Sequence, residues 1–441
     1  MNKRITAGTG ALGALLAIPS VAQADDFKVR NLSDSGPGSL PRAIENANDD
    51  ADADRILFKS KLSGTIELTA NDPLYILRGD LNIRGPGARK LSVDAGEDSR
   101  VFTVSAGFNG LPPIDVTISG LTITGGVADD PGPAGDLGGG ILNVGPNTSA
   151  VGPDLTLKNV AVRGNTAAED GGGVRNLGGD LTIKGSTISG NTSTQDGGGV
   201  ATNTGQRISV IRRSTITGNH AGDLGGGVYL VGTNPSTTTI RNSTVADNEA
   251  TNAGGGVYES GYGATIRGSI VAGNTGSPAD LDDGPWPTSF SIIGDTKGAT
   301  GLEDDGGNFF DVDPNLKPLR NNGGPTDTHA FKKSPAKNKV PKNQSENKDQ
   351  RGAKRKGRGD IGAYELVKCE GVIVNRVGTS KNDKLKGTKK KDGILGLGGN
   401  DKLSGKKGKD GLCGGKGKDK LRGGPGKDKL DGGPGKDKEI Q

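Results

Sequence analysis

From Asp383 to Asp437 an aspartate returns at every ninth position, seven times without a slip. A glycine stands five residues before each aspartate, and an aliphatic residue stands two residues after each of the first six. Nine residues accommodate one glycine-bent loop and one short strand whose aliphatic side chain points inward. The tail is therefore predicted to fold as a stack of half turns with one carboxylate in every loop. The aspartates are Asp383, Asp392, Asp401, Asp410, Asp419, Asp428 and Asp437.

This pattern resembles G-G-x-G-x-D-x-U-x, the calcium-binding nonapeptide of repeats-in-toxin (RTX) proteins. The resemblance implies an RTX-type parallel β-roll over residues 378–441, with Ca²⁺ as its cofactor. Loops on one edge of the roll recur every eighteen residues, so oxygen ligands come from the aspartates and from backbone carbonyls of neighbouring loops. The roll has few apolar residues, so ion binding should be coupled to its folding. We expect one edge to carry Asp401, Asp419 and Asp437, and the other to carry Asp410 and Asp428.

Lysines occupy two kinds of position that bear on calcium binding. Lys381 and Lys390 stand where the repeat has its second turn glycine, and a non-glycine residue forced into the left-handed conformation costs about 1–2 kcal/mol. Asp383 and Asp392 are therefore predicted to be weaker ligands than the later aspartates. Lysines also flank the later aspartates, and their charge opposes a bound cation even where the side chains point to solvent. We expect Ca²⁺ to bind, with a roll whose aspartates only pair with lysines as the alternative.

The body of the chain carries a second, longer repeat. Five segments of the type "LTIKGSTISGNTSTQDGGGV" align on an asparagine, at spacings of 26, 28, 29 and 26 residues, with aliphatic residues eight and three positions before it. Short strands with one inward face and glycine corners predict an all-β fold, a right-handed parallel β-helix solenoid, over residues 25–366. Adjacent coils lie about 4.8 Å apart, so the asparagines are expected to form a structural ladder rather than serve catalysis or carry glycans. They are Asn165, Asn191, Asn219, Asn248 and Asn274.

Both ends of this region carry a family resemblance. The opening "VRNLSDSGPGSLPRAIENAN" and the closing "DVDPNLKPL", "NNGGPTDTHA" and "GDIGAYE" resemble a family of secreted bacterial β-helix proteins. That family is related to the polymorphic outer-membrane and choice-of-anchor proteins of the pectin-lyase-like class. The resemblance covers residues 27–366 and implies a surface or extracellular β-helix of a kind usually without a demonstrated catalytic activity. Residues 38–48 are predicted to form a short amphipathic helix that caps the first coil, and residues 367–377 a linker.

The N-terminus has the features of a secretory signal peptide. Lys3 and Arg4 precede a short apolar run, and small residues at Ala22 and Ala24 predict cleavage after residue 24. No later stretch approaches the ~20 apolar residues of a membrane-spanning helix. The net charge of +5 is modest for 441 residues, so charge does not favour nucleic-acid binding. We expect a secreted or cell-surface protein with neither a membrane span nor a nucleic-acid partner.

The two cysteines lie in the C-terminal region. The sequence around Cys369 and Cys413 resembles the calcium-repeat tails of secreted actinobacterial-type proteins, which carry one cysteine before the repeats and one among them. Together with export, that resemblance implies a disulfide between Cys369 and Cys413. Two reduced cysteines are the alternative.

A non-enzymatic binding, adhesion or structural role is the expected function, with glycans, cell-wall polymers or surface proteins as partners. The alternative is a polysaccharide lyase or glycoside hydrolase of the pectin-lyase-like class. Its candidate carboxylates recur near the "GGG" corners, at Asp136, Asp170, Asp196 and Asp223, where solvated turn residues are also common. A third hypothesis is that the lysine-rich roll binds anionic cell-wall polymers through its positive charge, without calcium.

Overall fold

The computed structural model describes residues 24–69, 72–106, 112–129, 135–146, 152–205, 208–232, 238–261 and 263–441. The predicted signal peptide therefore lies outside the described residues, apart from Ala24. The remainder is almost entirely β-structure and has two parts, a parallel β-helix followed by a β-roll.

Three long parallel sheets run along the β-helix, and every coil between Asp54 and Asp283 adds one strand to each of them. Sheet 1 has eleven strands: Asp26–Val29, Asp54–Phe58, Leu81–Arg84, Asp115–Ser119, Asp154–Lys158, Leu181–Lys184, Ser209–Arg212, Thr239–Arg241, Thr265–Arg267, Trp286–Ser289 and Leu302–Asp304. Sheet 2 has ten: Gly64–Glu67, Leu91–Asp94, Thr122–Thr124, Ala161–Arg163, Thr187–Ser189, Thr215–Thr217, Thr244–Ala246, Ile270–Ala272, Ile292–Ile293 and Phe309–Phe310.

Sheet 3 is the third long sheet of the β-helix, and a short sheet 4 lies in the turn between sheets 2 and 3. Sheet 3 has eight strands: Leu74–Ile76, Phe102–Ser105, Ile141–Val144, Val174–Leu177, Val200–Gly205, Val228–Gly232, Val257–Ser260 and Leu281–Asp283. Sheet 4 has five two-residue strands: Val127–Ala128, Thr166–Ala167, Thr192–Ser193, His220–Ala221 and Glu249–Ala250.

The strands of sheet 1 alternate between buried and more exposed side chains, because one face of this sheet lines the core and the other does not. In the strand Asp154–Lys158, Leu155 and Leu157 point into the coil and are fully buried, whereas Lys158 is exposed. Two rows of inward aliphatic side chains stack in register through the predicted repeat and are at most 1% exposed, which confirms their predicted place in the core. They are Leu157, Ile183, Ile211, Ile240 and Ile266 on sheet 1, and Val162, Ile188, Ile216, Val245 and Val271 on sheet 2.

The predicted amphipathic helix is confirmed and spans Leu40–Ala47. Ser39 is its N-cap, with the hydroxyl accepting a hydrogen bond from the Arg42 N–H at 3.2 Å, and Pro41 stands in the first turn. Leu40 and Ile44 are among the residues on its buried face, which packs into the main core beside the first strands. The helix thus covers apolar side chains at the open end of the solenoid.

Residues 311–366, named here the closing segment, do more than cover the last coil. They run back along the outside of sheet 2 toward the N-terminal coils and make polar contacts with several coils in turn. Gly362 N–H donates to the Gly268 carbonyl at 2.8 Å, Gln350 Nε2 donates to Thr187 Oγ1 at 3.0 Å, and Arg89 Nε donates to the Gly324 carbonyl at 3.1 Å. The outer face of sheet 2 is therefore largely buried beneath this segment from Thr187 onward, whereas Glu67 and Arg163 of earlier strands are exposed.

The roll begins within the residues predicted to be a linker, 367–377. One roll sheet contains Lys368–Cys369, Val372–Val377, Gly393–Gly398, Gly411–Lys416 and Lys429–Asp431. The other contains Lys384–Lys386, Lys402–Ser404, Lys420–Arg422 and Lys438–Ile440. Val377 accepts a backbone hydrogen bond from Gly324, and Val374 accepts one from Arg351 Nη1, so the first long strand docks on the closing segment.

Candidate calcium-binding edges of the roll

The nine-residue period sends successive strands alternately to the two roll sheets, so the connecting loops collect along two edges. Strands eighteen residues apart pair in parallel, as Lys402 does with Lys420. The aliphatic residue of each strand points inward and forms a small core. Leu403 and Leu412 are buried there with Ile394 and Leu421, and Leu385 and Leu430 pack against them. These six aliphatic residues and a second small cluster around Cys369 leave much of the stabilisation of the roll to its loops.

The aspartates of each edge are linked from loop to loop. Asp401 Oδ1 accepts a hydrogen bond from the Asp383 backbone N–H at 2.8 Å, and Asp419 Oδ1 accepts one from Asp401 at 2.7 Å. The same contact joins every pair of loops eighteen residues apart. One edge therefore carries Asp383, Asp401, Asp419 and Asp437, and the other carries Asp392, Asp410 and Asp428.

The second carboxylate oxygen is the feature that points to a cation. In four aspartates Oδ2 is buried and has no hydrogen-bond partner. A buried carboxylate oxygen without a donor is costly, and carboxylate and carbonyl oxygens are the ligands that Ca²⁺ prefers. The residues therefore fit the calcium ion that the repeat implies. The four are Asp401, Asp410, Asp419 and Asp428.

Glycine is required beside each of these carboxylates. A Cβ on Gly396 or Gly405 would lie 2.4 Å from Oδ2 of Asp401 or Asp410, respectively. Ordinary van der Waals contacts are well beyond that distance, so a side chain here would displace the carboxylate. The glycine that precedes each aspartate by five residues thus leaves room for the oxygen that would hold the ion.

The first loop on each edge is built differently. Asp383 Oδ2 accepts hydrogen bonds from the Thr379 N–H at 2.6 Å and from its hydroxyl at 2.9 Å. Asp392 Oδ2 accepts the same two from Thr388, at 2.6 and 2.8 Å. These two carboxylates are therefore already satisfied by protein donors. Threonine four residues before the aspartate, where the later loops have leucine, lysine or glycine, is the sequence signal that distinguishes these loops.

The prediction that left-handed backbone strain at Lys381 and Lys390 weakens these sites is wrong. Lys381 and Lys390 are not in the left-handed conformation, so they store none of the expected strain. Glycine is needed in the later loops because the preceding loop lies against it: a Cβ on Gly417 would be 1.9 Å from the Gly399 carbonyl oxygen. Lys381 and Lys390 lie in the first loop of each edge, where no earlier loop of the repeat is stacked beneath them.

The lysines beside the aspartates point to solvent. Lys409, Lys418 and Lys427, which directly precede aspartates, are exposed, as are the lysines that directly follow them. None of the ion pairs of the described residues joins a lysine to a roll aspartate. The arrangement therefore offers no support for the alternative in which lysines neutralise these carboxylates directly.

Burial and mutual repulsion act on the carboxylates. Burial raises the pKa of Asp401 and of Asp410 above the ordinary value of 3.8, and the neighbouring carboxylates of the same edge raise it further. The hydrogen bond from the backbone N–H of the preceding loop opposes that shift. A bound cation would relieve both the desolvation and the repulsion, so these edges are electrostatically suited to a divalent ion.

Cys369 and Cys413 form a disulfide with a Cα–Cα distance of 5.9 Å. It connects the first short strand of the roll to the strand Gly411–Lys416, 44 residues later. Cys369 packs in a small apolar cluster with Val374 and Val377. The N-terminal half of the roll is therefore fixed covalently as well as docked on the closing segment.

The five predicted asparagines are buried in the turn between sheets 2 and 4 and hydrogen-bond to one another. Asn191 Nδ2 donates to Asn219 Oδ1 at 2.9 Å, and the same Oδ1 accepts the Asn191 backbone N–H at 3.1 Å. The ladder runs from Asn165 to Asn274, whose side chain donates to Asp280 Oδ1 at 2.8 Å. A carboxylate suits the end of the ladder because it accepts the hydrogen bond of Asn274 and has no N–H of its own that would need another acceptor. The second carboxylate oxygen, Asp280 Oδ2, accepts a hydrogen bond from the Asp295 N–H.

The carboxylates considered for catalysis do not all have the same surroundings. Asp170 forms an ion pair with the buried Arg175 at 3.0 Å, and its Oδ1 accepts the Asp196 N–H at 3.1 Å. Burial raises the pKa of Asp196, and the charge of Asp170 adds to that effect. Asp223 Oδ1 accepts a hydrogen bond from Asn252. Asp196 Oδ1 in turn accepts the Leu224 N–H at 3.0 Å, so all three carboxylates along the corner next to sheet 3 are held in protein contacts.

The described residues contain neither a cluster of metal-ligating side chains nor a helix suited to cross a membrane. Nowhere in those ranges do three His, Cys, Asp or Glu side chains converge as a metal cluster. The roll has one carboxylate per loop, which suits sites completed by backbone carbonyls. In the same parts of the chain, no helix combines the length and the apolar character needed to cross a bilayer.

Comparison with known proteins bears on the tail alone. No curated protein and no solved structure matches the chain. Residues 377–412 and 414–438 match the family model described as the RTX calcium-binding nonapeptide repeat (4 copies). The C-terminal part of this chain therefore consists of RTX calcium-binding nonapeptide repeats.

Proposed function

We propose that the protein is a secreted, non-enzymatic binding protein in which Ca²⁺ completes the roll and the β-helix presents the binding surface. The observation that carries the calcium part is the set of four buried Oδ2 atoms without a donor, at Asp401, Asp410, Asp419 and Asp428. In this assignment these oxygens and nearby loop carbonyls hold the ions, with Asp437 as a further ligand at the end of its edge. Bound calcium would offset the repulsion between the carboxylates. It would also add stability that the small apolar core of the roll does not provide.

Export agrees with several features of the chain. The predicted signal peptide, the disulfide between Cys369 and Cys413, and RTX repeats are all typical of secreted proteins. Extracellular calcium modules commonly bind at Kd values of about 10⁻⁴–10⁻³ M, which fits a roll that folds once it leaves the cell. The likeness of residues 27–366 to secreted pectin-lyase-like β-helix proteins belongs to the same proposal.

Calcium titration of the full chain tests this assignment. Far-UV circular dichroism should show added β-structure as calcium rises to millimolar concentration, with calorimetry reporting the binding heat. Magnesium is the matched control, since its small size and strict octahedral preference disfavour a site of loop carbonyls. A roll that is equally ordered without calcium and takes up no ion at millimolar concentration would contradict the proposal.

A second candidate, a polysaccharide lyase or hydrolase, is favoured by one observation. Asp170, Asp196 and Arg175 lie together, and burial raises the pKa of Asp196 and lowers that of Arg175. Shifted pKa values are common among catalytic acids and bases. Depolymerisation of an acidic polysaccharide that Asp196→Asn abolishes would establish this activity; no depolymerisation by the intact protein would leave the corner a structural one.

A further inference from the structure

The outer face of sheet 1 carries a row of cations in exact register. Five consecutive coils place a lysine or arginine at the same strand position, each paired directly with the next across the sheet. Neighbouring strands lie about 4.8 Å apart, so the charges form a straight row at that interval. We name this the cation row: Lys158, Lys184, Arg212, Arg241 and Arg267.

Like charges directly opposite each other destabilise a sheet, so this row needs an explanation beyond folding. Within the described residues, Glu346 is the one carboxylate in an ion pair with the row, at 3.8 Å from Arg212 and 3.2 Å from Arg241. Glu346 also lies 3.6 Å from Arg213, beside the row, so a single negative charge is shared among three guanidinium groups. The row therefore retains a large excess of positive charge.

The surroundings add to the positive charge of the row. Residues 332–360 of the closing segment contain eleven lysines and arginines but three acidic residues. Asp349 is paired with Arg351, Asp360 is buried, and Glu346 already contacts the row. Lys348 and Lys354, near Glu346 in the chain, are exposed. Apart from Glu346, no acidic residue of this part of the described structure forms an ion pair with the row.

A second row on the same face has a different chemistry. Two residues before the cation, four of the five coils place an outward threonine, and the preceding coil has Thr117 at the same position, with Ser119 in place of a cation. These side chains are half-buried or exposed, and Val210 is the one interruption among the coils that carry the cation row. We name this the threonine row: Thr117, Thr156, Thr182, Thr239 and Thr265. A row of hydroxyls thus runs parallel to the row of cations.

We propose that this face binds a linear acidic polysaccharide along the axis of the β-helix. Carboxylates of successive sugar residues would meet the cation row, while sugar hydroxyls would exchange hydrogen bonds with the threonine row. A straight row on a flat sheet fits an extended chain better than the curved backbone of duplex DNA. This inference rests on the proposed extracellular binding role, but it requires no calcium at the site itself.

Short oligogalacturonides, too short to gel with calcium, are the probe, and their methyl esters are the uncharged control. The full chain is kept in calcium throughout, and binding is measured by calorimetry. The test variant is the triple change Lys158→Gln, Lys184→Gln and Arg267→Gln, which leaves the contacts of Glu346 intact. The matched control is Lys384→Gln, Lys402→Gln and Lys420→Gln, which removes the same charge from an exposed row of the roll.

The test variant should bind oligogalacturonides about tenfold more weakly, since exposed ion pairs each contribute a few-fold. The roll variant should bind as the unchanged protein does, and the methyl esters should not bind. Equal loss in both triple variants, or duplex DNA binding as tightly as the oligogalacturonides, would overturn the proposal. Lys158→Glu alone, at an exposed strand end, provides a second test if the triple variant folds poorly.

Calcium binding of the same variants separates this inference from the proposed function. The cation-row variant should keep its calcium-induced change in circular dichroism. If that change is absent from every variant and from the unchanged chain, the calcium assignment fails while the oligogalacturonide result still decides the role of the cation row.

Discussion

Replacement of Asp410 by asparagine should lower the stability of the calcium-loaded protein but leave that of the calcium-free protein unchanged or higher. Asp410 is 1% exposed, its Oδ1 accepts the Asp392 N–H at 2.8 Å, and its Oδ2 has no donor. Asparagine can keep the first contact through its own Oδ1. The substitution therefore removes the charge and the second oxygen while leaving the loop-to-loop hydrogen bond in place.

The size of the effect follows from linkage. A site with a Kd of about 10⁻⁴ M adds about 2.7 kcal/mol at about 10 mM calcium. Loss of one charged ligand, at about 2 kcal/mol, weakens the site about thirtyfold. The site then adds about 0.9 kcal/mol, so Asp410→Asn should cost about 1.8 kcal/mol in calcium. Without calcium it should be neutral or stabilising, because a buried carboxylate repelled by its neighbours has been removed.

Urea unfolding with and without calcium, followed by hydrogen exchange of the roll amides, measures both values. Asp392→Asn is the control on the same edge, since both Asp392 oxygens already accept hydrogen bonds, Oδ1 from Asn375 and Oδ2 from Thr388. That variant should lose stability by a similar amount in both conditions. If Asp410→Asn behaves in the same way as Asp392→Asn, the free oxygen of Asp410 is not a calcium ligand.

Three further outcomes are expected. Asn219→Ala should lower the free energy of unfolding by about 3–5 kcal/mol, because it leaves two buried donors of Asn191 short of their acceptor; chemical denaturation checks this, and a loss below about 1 kcal/mol would refute it. Gly417→Ala should abolish calcium-induced folding in circular dichroism, because its methyl group would meet the Gly399 carbonyl. The calcium-free roll should lose stability as pH rises above 3.8, because the raised pKa of Asp401 means that the folded state binds more protons than the unfolded state in that range. The roll amides should therefore exchange faster at about pH 7 than at about pH 4 after correction for intrinsic rates, and calcium should remove the difference.

The regular spacing of residues in the two sequence repeats made much of this fold predictable. An asparagine per coil, with aliphatic residues at fixed distances before it, marked the turns and the core of the β-helix, and Leu157 and Val162 are buried as that spacing requires. The path of the closing segment could not be read in this way. It has no repeat, and polar contacts such as those of Gln350 hold it to coils more than 130 residues away in sequence.

At the calcium edges the sequence identified the aspartates but not the state of their oxygens. Whether Oδ2 is free depends on a neighbour four residues earlier, and the hydroxyl of Thr379 contacts its aspartate only once the loop has folded. The cation row was missed although a signal existed. Each of its members stands seven residues before a ladder asparagine, as Lys184 does before Asn191; reading outward positions in the same alignment would have revealed it.

The closing segment has a consequence for how such a chain can change in length. A solenoid with free ends can gain or lose a coil by duplication or deletion, since each coil contacts only its neighbours. Here a single strap is fastened at Gly185 through Thr326 and again at Gly268 through Gly362. The strap acts as a ruler: an extra coil inserted between those points would separate the two attachments by a further ~4.8 Å and break one of them. The number of coils beneath it is thereby fixed, while the coils before Arg89 remain free to vary.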